Sequence, residues 1–508
     1  MRVRVAAAVT AGLGLATSVA LSRQPVGEVF ALEGVDPDTL LDKRFRDRKE
    51  ELQSAKAPPH VEMHEAPSDA PWRFVPREYW YLDEHGRWHV RPFRSAQKFQ
   101  ARDETEVTKA LTGNTQSVPE AACRSANLPK LVRELSLTQY NANELCEDAV
   151  AVRTSLKTSD GALFAVFDGH SGPHCAAWLA SELFDVLEWF SVQSDSEKKK
   201  LLKGASHLRM IRADDGLSGN GPLLTREACL FADHVLLTSS AAQELWHDAL
   251  NGSCGVIAHL HDDGLLQVAN VGDCRCLVIS QSSDGAWHAK ALTRDHEMLE
   301  NDAERERLLQ RHPEDEYVVQ RMRVKGRLQP TRVFGDAHYK RALYFWRSHA
   351  QTPKKYAKYQ NWNPPYVSAE ADVRQHQLGK EDRYVILACD GLFQDLTNED
   401  VAAAVQRFSK DNEGMSLSQY LVREALLEAA RAHFGNFSRE ALLTMIGALE
   451  GKGRRRVHDD VTILALRVDS ANAHASKHVV EQEITPPENS KLHKLLHLNE
   501  ETMHNCVM

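Results

Sequence analysis

The sequence predicts a fold that mixes β-strands with α-helices, and three observations carry that prediction. Short apolar runs at residues 163–167 and 384–388 have the length and composition of buried strands. Residues 175–190 repeat apolar side chains at helical spacing. The turn sequence Asp262-Asp-Gly264 separates two further apolar segments, which is typical of strands that pair through a turn.

Strands and helices follow one another along most of the chain. The predicted strands are residues 149–155, 163–167, 251–260, 265–279, 384–389 and 461–466. The predicted helices are residues 175–190, 227–249, 398–408 and a highly charged segment at 300–312. Residues 193–222 are polar and are predicted to be a surface insertion.

The composition is that of an ordinary globular protein. The chain has 508 residues, of which 42% are hydrophobic and 26% charged, and its formal net charge is −9. The pI of about 6.3 argues against a nucleic-acid-binding protein, which should carry a basic excess. The nine cysteines form no CxxC pair, so neither a zinc ribbon nor a disulfide framework is indicated.

The N-terminal segment has two interpretations. Residues 1–27 contain Arg2, Arg4 and Arg23 but no acidic residue, which is typical of a mitochondrial transit peptide. Residues 5–21 are also apolar enough to be the core of a secretory signal or a weak membrane anchor. Stable membrane insertion is not expected, because this apolar segment is short and contains Gly and Thr.

Composition also indicates how the rest of the chain is organised into segments. Residues 28–117 are expected to be a linker and an aromatic-rich extension, and a base-stacking surface there is disfavoured by the charge pattern. A catalytic domain is predicted over 118–470, followed by a mobile polar tail over 471–508. The run Arg454–Arg456 is either a solvated face or a docking site for an acidic partner.

Carboxylates stand repeatedly at the ends of the predicted strands. Asp168 and Asp390 each follow an apolar strand and precede a glycine. The pairs Glu147-Asp148 and Asp459-Asp460 each precede a strand. Carboxylate oxygens are the ligands that hard divalent cations such as Mg²⁺ and Mn²⁺ prefer. The sequence therefore points to metal chemistry, with His170 available as a proton donor.

The segment Phe167-Asp-Gly-His-Ser-Gly172 resembles the signature of the type 2C family of metal-dependent Ser/Thr protein phosphatases. Further elements that resemble the family follow in order: Glu147-Asp148, Ala269-Asn-Val-Gly-Asp273, Arg332-Val-Phe-Gly-Asp336, Asp390-Gly391 and Asp459-Asp460. The resemblance covers roughly residues 145–466 and implies an α+β fold. In that fold a central sandwich of two antiparallel β-sheets is flanked by helices, with the metals in a channel at one edge.

The resemblance also implies a role for each acid. Two Mg²⁺ or Mn²⁺ ions would be held by Glu147, Asp168, Asp390, Asp459 and the Gly169 carbonyl, with Asp168 bridging them. Asp148 and Asp460 would support these ligands, and His170 would protonate the leaving Ser or Thr oxygen while a metal-activated water attacks phosphorus. Asp273 is either a ligand of a third, weaker metal site or a carboxylate that fixes a turn or pairs with Arg275.

One departure from the family points to a particular branch. Most of the family carries a phosphate-binding arginine where this chain has Asn143, and the pyruvate dehydrogenase phosphatases carry asparagine there too. The segments around His312-Pro313, Gly326–Gly335 and Asn363-Pro-Pro-Tyr366 are similar to that branch as well. The expected partner is then the phosphorylated α-subunit of pyruvate dehydrogenase within its complex, in the mitochondrial matrix. The alternatives are a type 2C phosphatase with another substrate and location, or a non-catalytic binding relative.

Overall fold

The structure is a computed structural model that describes residues 78–82, 88–92, 115–118, 128–142, 146–204, 223–242, 246–341, 344, 362–447, 449 and 451–470. The strands are β1 (Glu78–Leu82), β2 (Trp88–Pro92), β3 (Thr115–Val118), β4 (Val132–Tyr140), β5 (Ala149–Arg153), β6 (Ala162–His170), β7 (Gly252–Leu260), β8 (Leu265–Val271), β9 (Arg275–Gln281), β10 (Trp287–Ala291), β11 (Val319–Gln320), β12 (Arg323–Val324), β13 (Phe334–Gly335), β14 (Asp372–Gln377), β15 (Asp382–Ala388) and β16 (Val461–Val468). The helices are α1 (His174–Ser191), α2 (Asp195–Gly204), α3 (Arg226–Ala242), α4 (Trp246–Leu250), α5 (Asp302–Arg311), α6 (Ala337–Lys340), α7 (Asp390–Phe393), α8 (Asn398–Lys410), α9 (Leu417–Phe434) and α10 (Arg439–Gly447), with a 3₁₀ helix at Gly451–Arg456.

Two large sheets form the centre of the domain. The first has the strand order β10-β9-β15-β16-β4-β3, and the second has the order β14-β8-β7-β6-β5 with β13 beside β7. Neighbouring strands in both sheets are antiparallel. The predicted α+β sandwich of two antiparallel sheets is therefore confirmed.

Side chains on the strands alternate between two buried faces. On β6, Phe164 and Val166 belong to the core between the sheets, whereas Leu163 and Phe167 belong to the core beneath α1 and α3. A third core lies between the first sheet and helices α8, α9 and α10. Because both faces of each central strand are covered, these strands appear in the sequence as continuous apolar runs.

The predicted long strand over 265–279 is instead two strands that belong to different sheets. β8 lies in the second sheet and β9 in the first, and the chain crosses between them at residues 272–274. Gly272 has a φ of 107°, in the region that favours glycine, and an added Cβ would lie 2.3 Å from the Cys254 sulfur. An apolar run that changes sheets is buried on both sides of the crossing, so hydrophobicity alone does not mark the break.

Within the predicted helix over 227–249 the structure describes two helices, α3 and α4, and residues 243–245 lie outside the described residues. Both helices contact α1. The other predicted helices at 175–190, 300–312 and 398–408 are confirmed as α1, α5 and α8 within a few residues. Helices α9 and α10 were not predicted.

Several sequence predictions concern the ends of the chain. β3 pairs with β4, so the first sheet begins before the predicted domain boundary at residue 118. Within the aromatic-rich extension, β1 and β2 form an antiparallel hairpin. The transit peptide over 1–27, Asn143, and the tail over 471–508 lie outside the described residues. Among the residues that the structure describes, no helix has the length and apolar composition needed to cross a membrane.

Candidate active site

The end of β6 carries three of the predicted site residues, Asp168, Gly169 and His170. The backbone of Glu147 lies directly against this end: a Cβ added at Gly169 would lie 2.1 Å from the Glu147 carbonyl oxygen. Glycine is therefore required at position 169, and its absence of a side chain brings Glu147 next to Asp168.

The first sheet contributes a matching arrangement from β15 and β16. Asp390 begins α7 just after β15, and a Cβ added at Gly391 would lie 2.1 Å from the Asp460 carbonyl oxygen. The contributions of the two sheets meet where the backbone N–H of Asp390 donates to the Asp168 carboxylate at 3.4 Å. Each sheet thus places an Asp-Gly dipeptide against the backbone of an acidic pair.

The second acid of each pair forms hydrogen bonds that connect the two sheets at this edge. The Asp460 carboxylate accepts backbone N–H groups from Ala142, at 2.5 Å, and from Glu147, at 3.0 Å. The Asp148 carboxylate accepts the Thr462 hydroxyl at 2.6 Å. The supporting roles predicted for Asp148 and Asp460 stay predictions, and these hydrogen bonds favour them.

The acids form a cluster of like charge in which most members are half-buried. Burial and the negative charge of Asp390 raise the pKa of Asp168 well above its usual value. Burial and the charge of Asp460 likewise raise the pKa of Asp148. Oxygen atoms of Asp148 and Asp168 and the Cys389 sulfur all lie within 4.8 Å of one another. Such a cluster fits a divalent cation, which would offset the repulsion between the carboxylates.

The thiol of Cys389 is occupied by backbone groups at this site. It accepts the Thr462 N–H at 3.1 Å and donates to the Asp460 carbonyl at 3.3 Å. Burial also raises the pKa of Cys389 well above its usual value, which disfavours the thiolate that binds metals. Oxygen atoms are therefore the donors that this cluster would offer to Mg²⁺ or Mn²⁺.

His170 has a buried carboxylate partner that the sequence did not predict. Its Nε2 atom lies 2.6 Å from the Asp336 carboxylate, and the side chain of Asp336 is 2% exposed. A Cβ added at Gly252 would lie 2.1 Å from Nε2, so only glycine leaves room for this contact. Burial lowers the pKa of His170, but the charge and hydrogen bond of Asp336 outweigh burial and raise it.

Asp336 itself adopts a left-handed backbone conformation with a φ of 48°. The sequence identified it as the end of the element Arg332–Asp336 but assigned it no role. The sequence signal that could have identified Asp336 was its position in the Arg332–Asp336 motif, because nothing in the local sequence links residue 336 to residue 170.

Asp273 lies at the crossing between β8 and β9 and is 8% exposed. Its negative charge acts on both Asp168 and Asp390 and raises the pKa of each carboxyl. One alternative for this residue, a pair with Arg275, differs from the structure. The Arg275 guanidinium instead donates to both carboxylate oxygens of Asp295, with Nη2–Oδ2 at 2.6 Å.

The three arginines of the 3₁₀ helix that precedes β16 make different contacts. Arg454 donates to the carbonyl oxygens of Asn141 and Leu449 and lies over the ring of Tyr140. Arg455 forms an ion pair with the carboxylate of Asp459, one of the predicted metal ligands. Arg456 is exposed. The sequence predicted neither the contact of Arg455 nor that of Arg454.

Comparison with known proteins identifies the class. The family model described as "Protein phosphatase 2C" matches residues 139–433, more than half of the chain. The chain therefore belongs to the protein phosphatase 2C family of Ser/Thr phosphatases, as its motifs predict. This family depends on Mg²⁺ or Mn²⁺ and acts on phosphoproteins.

Its curated relatives come from more than one branch of that family. "Probable protein phosphatase 2C 78" of Oryza sativa subsp. japonica is 31% identical over 349 residues, covering 67% of this chain and 78% of the relative. The human mitochondrial "[Pyruvate dehydrogenase [acetyl-transferring]]-phosphatase 2" is 30% identical over 337 residues, covering 55% of this chain and 62% of the relative. The rat mitochondrial "[Pyruvate dehydrogenase [acetyl-transferring]]-phosphatase 1" is 25% identical over 485 residues, covering 78% of this chain and 87% of the relative.

Among solved structures, the serine-threonine phosphatase 2C of Toxoplasma gondii resembles this chain at 18% sequence identity, with a TM-score of 0.42. The match covers 70% of this chain and 99% of that one.

Proposed function

We propose that the protein is a mitochondrial metal-dependent Ser/Thr phosphatase that dephosphorylates the α-subunit of pyruvate dehydrogenase within its complex. The observation that carries the catalytic part is the meeting of Asp168 and Asp390, from different sheets, through a 3.4 Å hydrogen bond. The similarity to two phosphatases named for pyruvate dehydrogenase and for the mitochondrion supports the substrate and the compartment. The similarity to plant phosphatases of the same family leaves other phosphoproteins as the alternative.

Five groups would hold the metals in this proposal: Glu147, Asp168, the Gly169 carbonyl, Asp390 and Asp459. Two ions are proposed, with Asp168 shared between them, and Asp273 is the candidate for a third. When bound, Mg²⁺ or Mn²⁺ would make a water molecule more acidic and offset the charge of the phosphate group.

His170 would act on the leaving group. When the Ser or Thr oxygen departs from phosphorus it gains negative charge, and a proton from His170 lowers the barrier to that departure. Asp336 accepts the Nε2–H, which leaves the transferable proton on Nδ1 and fixes the orientation of the ring. Asn143 is proposed to lie near the phosphate, where its amide binds a dianion more weakly than a guanidinium would.

The test is phosphate release from the phosphorylated α-subunit of pyruvate dehydrogenase, with Mg²⁺ or Mn²⁺ present and then with EDTA. We expect release from wild type only with metal, and a loss of about 100-fold or more in Asp168→Asn because an amide replaces the shared anionic ligand. Asp302→Asn is the matched control, since the same change is made there on a side chain that is 77% exposed.

Each outcome separates the parts of the proposal. Metal-dependent release from a generic phosphopeptide, but not from the α-subunit, would retain the phosphatase and reject the substrate. Absence of release from both would favour a binding relative that shares the fold.

A further inference from the structure

We propose that Arg455 is the residue that binds the phosphate group of the substrate at the rim of the carboxylate cluster. This inference rests on the proposed phosphatase function and assigns a specificity-determining residue to the same site. Arg455 lies in the short 3₁₀ helix Gly451–Arg456, and its guanidinium contacts the carboxylate of Asp459 four residues further along the chain.

The partner of Arg455 places its guanidinium beside the carboxylate cluster. Asp459 precedes Asp460, whose carbonyl oxygen lies against Gly391, next to Asp390. The side chain of Arg455 is also 43% exposed, so the guanidinium lies between the acids and the solvent from which a substrate arrives. A cation at that place is accessible to the phosphate group and close to the metal ligands.

The backbone that carries Arg455 is fixed by its neighbour. Arg454 donates to the carbonyl oxygens of Asn141, at 3.2 Å, and of Leu449, at 3.2 Å. Its guanidinium also lies 5.6 Å from the centre of the Tyr140 ring, at the end of β4. These contacts anchor the 3₁₀ helix to the first sheet, so Arg455 is held towards the cluster while its neighbour secures the helix.

The chemistry of the site favours a cation at this place in addition to the metal ions. The substrate phosphate is a dianion that has to approach several carboxylates, and Asn143 carries no charge to attract it. When Asp459 binds a metal ion, its carboxylate attracts Arg455 less, and the planar guanidinium becomes available to two phosphate oxygens. A solvated face explains the exposed Arg456 but not the contact between Arg455 and a candidate metal ligand.

The experiment measures two binding equilibria on the full chain by calorimetry: inorganic phosphate in the presence of Mg²⁺, and Mn²⁺ alone. The variants are Arg455→Gln, Arg455→Lys and, as the matched control from the same run, Arg456→Gln. We expect Arg455→Gln to weaken phosphate binding by about 10- to 100-fold, the loss typical of one charged hydrogen-bonding partner. Mn²⁺ binding should be unchanged or tighter, because the guanidinium no longer competes for Asp459.

The controls define the remaining expectations. Arg455→Lys should retain part of the phosphate affinity, since it keeps the positive charge but cannot form the bidentate contact of a guanidinium. Arg456→Gln should change neither the phosphate nor the Mn²⁺ equilibrium. With a phosphopeptide, Arg455→Gln should raise KM more than it lowers kcat.

Three results would overturn the inference. They are phosphate affinity in Arg455→Gln equal to wild type, parallel loss of Mn²⁺ and phosphate binding, and no phosphate binding by wild type. Parallel loss would mean that Arg455 contributes only to the conformation of the segment that carries Asp459. Failure of the phosphatase function itself is distinguishable, because wild type would then release no phosphate from a phosphopeptide with metal present.

Discussion

At the scale of single residues, the contact between His170 and Asp336 connects two parts of the chain that are 166 positions apart. Asp336 is nearly fully buried, and its carboxylate lies 2.6 Å from the imidazole Nε2. A buried carboxylate in this position fixes the tautomer and the direction of the ring. Its effect on catalysis should then depend on how much the leaving group needs a proton.

Replacing Asp336 by asparagine tests this dependence. We expect Asp336→Asn to slow hydrolysis of a phosphoserine peptide by about 100-fold, the contribution typical of general acid catalysis. Hydrolysis of p-nitrophenyl phosphate should change far less, because its phenolate leaves without a proton. Comparing kcat for the two substrates measures the difference.

His170→Asn is the matched variant and should show the same selectivity between substrates. The double variant His170→Asn with Asp336→Asn should lose no more than His170→Asn alone. An equal loss on both substrates would instead indicate that Asp336 maintains the local structure.

Residues next to a recognisable strand end were predictable, whereas partners from distant segments were not. Asp168 and Asp390 follow apolar runs and precede glycines, so their positions at the edge of a sheet were deduced from the sequence. Asp336 and Arg455 act through contacts that only the folded chain creates. Arg455 was part of a charged run whose members look alike in sequence but bind different groups.

At the scale of elements, α5 shows that a highly charged helix need not lie wholly in solvent. Glu304 on this helix is 3% exposed and binds Arg332, with the Nη2 atom 2.8 Å from its carboxylate. Arg307 on the same helix contacts the other carboxylate oxygen. Arg332 begins the segment that ends at Asp336, so this network connects α5 to the strand that positions the site.

The pH dependence of stability should reveal this network. Burial would raise the pKa of Glu304, but Arg307 and Arg332 outweigh burial and lower it to about 2. Because this is below the value of about 4.3 in an unfolded chain, the stabilisation is complete above about pH 4.3 and is lost as the pH falls towards 2. We expect Glu304→Gln to lower the free energy of unfolding by about 3 kcal/mol at pH 7, and by less at pH 3.

Urea unfolding at the two pH values measures the effect, and Glu306→Gln provides the control. Glu306 lies on the exposed face of the same helix, so its replacement should change stability little at either pH. Equal destabilisation by both variants, or a loss for Glu304→Gln that does not depend on pH, would contradict the proposed role of the ion pairs.

Seven of the sixteen described strands and three helices were predicted because their apolar runs or periodicity are strong, but strand β4 and helices α9 and α10 were among the elements that were missed. The N-terminus of α9 carries a capping box in which Ser416 accepts the Gln419 backbone N–H and Gln419 accepts the Ser416 N–H. That pattern is visible in the sequence, so α9 could have been predicted from it. The crossing at Gly272 was not predicted, since the strands on both sides of it are largely buried and apolar.

At the scale of the whole molecule, the site exists because the two sheets meet. Glu147 and Asp168 come from the second sheet, and Asp390 and Asp459 come from the first. The order of strands in these sheets depends on pairings such as that of β4 with β16, which joins residues more than 300 positions apart. Periodicity predicts that such strands are buried but not which strands are neighbours, so the sandwich was predicted through the family resemblance.

Because these acids lie close together, repulsion between their carboxylates should lower the free energy of unfolding of the metal-free protein. Burial raises the pKa of Asp168 and of Asp390, and the neighbouring carboxylates raise them further. A raised pKa in the folded state means that ionisation at neutral pH opposes folding. Metal binding would remove this penalty, and an ion present at 100 times its dissociation constant stabilises the folded state by about 3 kcal/mol.

Thermal unfolding of wild type and Asp168→Asn, each with EDTA and with Mg²⁺, tests this balance. We expect Asp168→Asn to unfold at a higher temperature than wild type in EDTA, because one negative charge has been removed from the cluster. Mg²⁺ should raise the unfolding temperature of wild type and of the control Asp302→Asn but not that of Asp168→Asn. A full Mg²⁺ response in Asp168→Asn would mean that the stabilising ions bind elsewhere. A lower unfolding temperature for that variant in EDTA would mean that hydrogen bonds to Asp168, such as the one from the Asp390 backbone, outweigh the repulsion between carboxylates.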